Sequence, residues 1–135
     1  MKETALAVLM YAADFDDRFP PAPVWADSVS PYSKSYLPDH DVFRCPDLDE
    51  LGPGRYGHAF YARLGLQSSQ ELADPMNTPM LFDSTDLSWS AYGDLSLLPA
   101  QGRHPNGTNV VAFADGHAHA TTVPALFDAM RSKSR

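Results

Sequence analysis

Apolar residues recur along the first segment, Lys2 to Ala13, at the spacing of one helix face. Ala5, Val8, Leu9 and Ala12 stand at i, i+3, i+4 and i+7, and Leu6, Met10 and Ala13 form a second stripe beside them. This pattern predicts a helix with a wide apolar face, on which only Lys2, Glu3 and Thr4 look solvated. No Ser, Thr, Asp or Asn precedes the first turn as a cap, so the segment reads either as the stub, residues 1–13, of a longer helix or as a short helix with a frayed start. Asp14, Asp16, Asp17 and the pair Pro20-Pro21 end it. Residues 22–50 are loop-like, with Trp25, Tyr32 and Tyr36 as anchors, and residues 71–78 form another loop. Alternation at Tyr56, His58 and Phe60 favours a strand within 55–66. Met80 to Asp83 reads as a buried strand ending in an acid, followed by a loop through Trp89 and Tyr92. The last third is the clearest. Asn109 to Ala114 is a strand, Asp115-Gly116 a hairpin turn, and 117–123 the return strand. Asn106-Gly107 is a further turn signal that predicts a three-stranded meander, and Pro124 opens a C-terminal helix over 125–130.

Composition narrows the picture. The 135 residues fit a single domain, 1–135, and 44% hydrophobic residues suffice for a core. The acids are 14 Asp and 3 Glu, and there are 12 Pro. Asp and Pro favour turns, so long Pro/Asp-rich loops and no second long helix are expected. A net charge of −7 argues against nucleic acid, whose phosphates require a basic footprint. The longest apolar run, 5–13, is too short to cross a bilayer. Cys45 is the single cysteine, so it has no disulfide partner within this chain and is expected to be a free thiol.

Three groups carry candidate chemistry. Asp14, Asp16 and Asp17, with Asp83 as a partner from the sheet, have the hard oxygen density that suits Ca²⁺, although the Gly and distal Glu of an EF-hand are missing and a solvated helix-end turn paired with Arg18 is the competing reading. Asp115, His117 and His119 form a carboxylate and two imidazoles at i, i+2 and i+4, a set known for zinc or iron; Asp115 in a turn is better suited to capping backbone N–H groups. Asp-rich loops with Trp25, Trp89 and Tyr92 would suit an extracytoplasmic ligand- or Ca²⁺-binding module. A metal-dependent hydrolase built on Asp115, His117 and His119 is the weaker alternative. Neither a nucleophile elbow nor a Gly-rich phosphate loop is present, so the expectation is a protein without enzymatic activity and with no cofactor other than Ca²⁺.

Several segments in order resemble one family. They are Tyr11-x-x-Asp14-x-Asp16-x-x-Phe19-Pro20, Phe43-Arg44-Cys45-Pro46, Tyr56-Gly57, Thr78-Pro79-x-Leu81-x-Asp83 and Arg103-His104-x-x-Gly107. Asn109-Val110-Val111-x-Phe113-Ala114-Asp115-Gly116-His117 completes the set. The chain is similar to the bacterial prepilin-type proteins known by an H-X9-DG signature, relatives of type II secretion pseudopilins. The resemblance implies an α+β, pilin-like head with its N-terminal helix packed on an antiparallel β-sheet. It also implies inner-membrane anchorage through a preceding hydrophobic helix, a periplasmic location, and other pseudopilin subunits as partners in protein secretion. The family's motif would fall on His104, Asp115, Gly116 and His117, and assembly on Leu6, Leu9 and Met10. Ten residues separate His104 from Asp115 where the family has nine, and the extra one belongs in the turn or a bulge. On strand geometry His104 and Asp115 stand at opposite ends of 109–114 and do not pair.

Overall fold

The computed structural model describes residues 1–33 and 56–132. It is α+β: an N-terminal helix, α1 (Lys2–Asp14), a short helix α2 (Trp25–Val29), and a five-stranded mixed sheet. The strands are β1 (His58–Tyr61), β2 (Pro79–Asp83), β3 (Tyr92–Gly93), β4 (Asn109–Phe113) and β5 (Ala118–Thr121), and helix α3 (Val123–Ser132) follows them. The sheet order is β3-β1-β2-β4-β5. All neighbours are antiparallel except β1 and β3, which run parallel. Among the described residues no helix is long and apolar enough to cross a membrane.

The predicted strands form because their side chains have a core to enter. All five residues of β2 and all four of β1 are buried, so β1 shows no outward polar alternation. Both strands lie inside the sheet between other strands, as near-continuous apolar runs do. The hairpin turns at Asp115-Gly116 and registers Ala112 against Ala118. Gly116 has φ +98, a left-handed value that L side chains rarely adopt, and a Cβ there would stand 2.9 Å from Leu9 Cδ1. The turn therefore abuts α1. The return strand ends at Thr121, earlier than expected, and α3 already starts at Val123, because Pro124 is suited to a first helical turn and not to a strand.

Helix α1 matches its expected span, with corrections on its faces. Ala5, Ala7, Val8 and Ala12 are buried and Leu9 is half-buried, while Leu6, Met10 and Ala13 face outward. Thr4, expected in solvent, is fully buried. The helix has neighbours on more than one side, since it packs against both β4 and the 25–32 segment, which was expected to be loop and contains α2. Trp25 explains that segment. Its indole is 2% exposed, lies against the Phe60 ring at 6.0 Å, and donates to the Ala91 carbonyl at 2.7 Å. It is a core residue and not the surface ligand-binding aromatic considered above. Trp89 is also engaged, donating to Asp27 Oδ1 at 2.7 Å, whereas Tyr92 is exposed.

The predicted meander does not form. Residues 105–107 make a tight turn with Asn106 at φ 69 and Gly107 at φ 70, closed by a lone bridge between His104 and Thr108. The segment before the turn stays out of the sheet, because the Arg103 side chain is held to the Gly57 carbonyl and Asn109 binds Pro99 O and Arg103 N. The neighbours of β4 are β2 and β5.

Candidate functional site

One buried charge organises the end of the sheet. Asp83 closes β2, is 0% exposed, and is registered against His58 on β1. Its Oδ2 accepts the Val110 backbone N–H at 2.7 Å and faces His104 Nε2 at 2.8 Å. Its Oδ1 lies 3.6 Å from Arg103 Nη1 and 3.6 Å from His58 Nε2. A carboxylate buried in this way is tolerated only with cations and N–H donors around it, and four such groups converge here. Arg103 extends the network, donating to the Gly57 carbonyl at 2.7 Å and also to the Ser84 carbonyl. Asn109, 1% exposed, accepts from Arg103 N at 3.0 Å and donates to the Pro99 carbonyl at 3.0 Å.

Four of the segments quoted for the family resemblance thus join one network: Arg103, His104 and Val110 reach the Asp83 carboxylate, and Gly57 and Asn109 bind Arg103. Sequence reasoning assigned Asp83 to a calcium set and His104 to a turn. The backbone of His104 does close the 104–108 turn, with its N–H donating to Thr108 O at 2.9 Å, but its side chain reaches β2. The sequence signal for this network is the acid already noted at the end of an apolar run, Met80-Leu81-Phe82-Asp83. Such an acid is buried with its strand and must recruit cations from elsewhere.

Asp14, Asp16 and Asp17 stay at the end of α1, and the structure does not bring Asp83 to them. Asp14 Oδ2 accepts the Tyr32 hydroxyl at 2.7 Å, a bond that raises the Tyr32 phenol above its usual value. Asp16 and Asp17 take left-handed φ values of 57 and 60, and Arg18 donates to the Leu66 carbonyl at 3.0 Å. Among the described residues no group of three or more His, Cys, Asp or Glu is placed to hold a metal ion. Cys45, Tyr36 and Phe43-Arg44 lie outside the described residues.

At the hairpin, Asp115 Oδ1 accepts the His117 backbone N–H at 3.1 Å and lies 2.6 Å from His117 Nδ1. Partial burial pushes the Asp115 carboxyl up, and the two His117 contacts outweigh it, leaving the group below its usual value. Side-chain and backbone bonds from Ser88 lower Asp86 in the same direction, and those from Ser96 lower Asp94. Asp115 and His104 belong to separate networks, each with its own partner.

On the outer side of α1, Leu6, Leu9, Met10 and Ala13 line an apolar trough with Tyr32, about 370 Å³ in volume. Leu6 is 47% and Met10 51% exposed. Tyr11 stacks on Phe15 at 4.3 Å and meets Tyr32 edge-on at 6.2 Å. Comparison of the chain with family models, with curated proteins and with solved structures finds no significant match.

Proposed function

We propose that this chain is the pilin-like head of a non-enzymatic structural subunit, a pseudopilin of a type II secretion or pilus-like fibre, whose copies pack through the outer face of α1. The observation that carries this reading is the helix itself. One side supplies Ala5, Val8 and Ala12 to the core, while the other presents Leu6 and Met10 to solvent beside an apolar trough. A helix apolar on both sides has a second surface to cover, and a neighbouring helix of the same kind covers it by ridges into grooves. In this reading the head faces the periplasm at the inner membrane, anchored by a helix preceding α1, with other pseudopilin subunits as its partners. The Asp83 network supports an architectural role, since Arg103, Asn109 and the Asp83 carboxylate all bind the chain's own backbone.

Site-directed cross-linking tests the proposal. With Cys45 replaced by Ser, Leu6→Cys or Met10→Cys should yield cross-linked dimers and higher ladders in cells that assemble the fibre. Ala125→Cys, on exposed α3, should not. Equal cross-linking at all three positions, or none at residues 6 and 10, would refute helix-to-helix packing.

A further inference from the structure

The β4–β5 hairpin carries a histidine pair that the Asp83 network does not use. His117 follows the Asp115-Gly116 turn, and His119 stands two residues on in β5, paired with Val111. Their ring centres are 5.4 Å apart with planes inclined by 16°. Both rings rest on Phe113, at 4.6 and 5.3 Å, and Phe113 is itself only 3% exposed. The pair is therefore supported from beneath and open above: the His117 side chain is 37% exposed and His119 lies on the surface. Asp115 Oδ1, 2.6 Å from His117 Nδ1, is an acceptor for the Nδ1 proton. That tautomer leaves Nε2 with its lone pair, the arrangement in which a carboxylate orients a metal-binding imidazole.

We propose that His117 and His119 form a two-nitrogen chelating site for a borderline divalent transition ion, zinc foremost, with Asp115 as a positioning residue and water completing the coordination. Distance supports this. Residues i and i+2 on an extended strand stand roughly 6.6 Å apart, so the rings lean toward each other over Phe113. A zinc–nitrogen bond of about 2.0–2.1 Å, plus about 1.1 Å from nitrogen to ring centre, puts each centroid roughly 3.2 Å from the ion. At a tetrahedral angle two such centroids are roughly 5.2 Å apart, close to the observed separation; the rings lie stacked, so the exposed His119 ring turns about its side-chain bonds to bring its lone pair onto the ion. Imidazole suits zinc, copper or nickel and not calcium, which prefers oxygen. With two ligands from the chain the site is exchangeable, unlike a closed structural zinc centre of four. The site is independent of helix packing, and its failure would leave the proposed function untouched.

The test is a titration of the whole chain with zinc chloride, followed by histidine ring resonances in NMR and by calorimetry, with Cys45→Ser in every sample to remove the thiol as a competing ligand. The His117 and His119 rings should shift together while His104, held on Asp83, stays in place. His119→Ala, a surface change, should weaken binding at least about tenfold, and Asp115→Asn by about 10–100-fold, the usual effect of losing an orienting carboxylate. Should Asp115→Asn disturb the turn, His119→Gln provides the same comparison without touching it. Rings that do not respond to millimolar zinc, a response from one ring alone, or binding undiminished in both His119 variants would overturn the proposal.

Discussion

Replacing Asp83 by Ala isolates the central buried interaction of this fold. The carboxylate is fully buried, and its loss strips the Val110 N–H of a 2.7 Å acceptor and His104 Nε2 of a 2.8 Å partner. An orphaned buried donor costs about 1–3 kcal/mol. His104, with its side chain 19% exposed, has water within reach and adds less. Arg103 keeps the Gly57 and Ser84 carbonyls and loses a counter-charge at 3.6 Å. Together these give about 3–5 kcal/mol, the range for breaking a buried pair by removing one partner. For a chain of this length that is a fall in Tm on the order of 10–20 °C. Urea denaturation read by far-UV circular dichroism measures the loss, with the m-value unchanged. Asp83→Asn keeps an acceptor for Val110 and should recover roughly half of it. In a double-mutant cycle, Asp83→Ala and His104→Ala should be coupled by about 0.5–3 kcal/mol. An Asp83→Ala loss under about 1 kcal/mol, no larger than that of the exposed turn cap variant Asp86→Ala, would refute the reasoning.

Val8→Asp, placing a charge at a fully buried position, should cost more than about 3 kcal/mol, whereas Leu6→Asp on the outer stripe should cost under about 0.5 kcal/mol by the same urea assay. Gly116→Ala forces a Cβ into φ +98 and toward Leu9 Cδ1, and thermal unfolding should show a loss of about 1–2 kcal/mol. Asp86, Asp94 and Asp115 are each lower in the folded chain than the ordinary 3.8, so each contributes stability that is complete above that value and lost as pH falls through the folded values. Urea midpoints should therefore fall as the pH drops below about 4, and Asp115→Asn should reduce that acid slope; a slope identical in the variant would contradict its role.

How much was legible in the sequence follows from what each signal measures. Helix α1, strands β2 and β4 and the Asp115-Gly116 turn were readable because local periodicity and turn chemistry decide them. The short helix at Trp25–Val29 was not, because five residues carry too little periodicity and the helix rests on a tertiary contact, the Trp25 indole on Ala91. The two-residue strand at Tyr92–Gly93 exists only through its parallel pairing with β1. Asn106-Gly107 did signal a turn, but its flanks pair only at His104 and Thr108, because the Arg103 and Asn109 side chains reach Gly57 and Pro99, which no local rule contains. At the site, the expected separation of His104 from Asp115 agrees with their placement, while the partnership of His104 with Asp83 depends on strand order. Twenty-one positions separate the two residues, and only the adjacency of β2 and β4 brings them together.

The most direct test of the account is whether copies of the chain associate through the outer face of α1. Sedimentation velocity over a wide concentration range should show self-association of the wild-type chain. A Leu6→Asp/Met10→Asp variant should remain monomeric while unfolding at the wild-type temperature, since both side chains point away from the core. Association of the variant indistinguishable from wild type, or a wild-type chain that stays monomeric throughout, would contradict it.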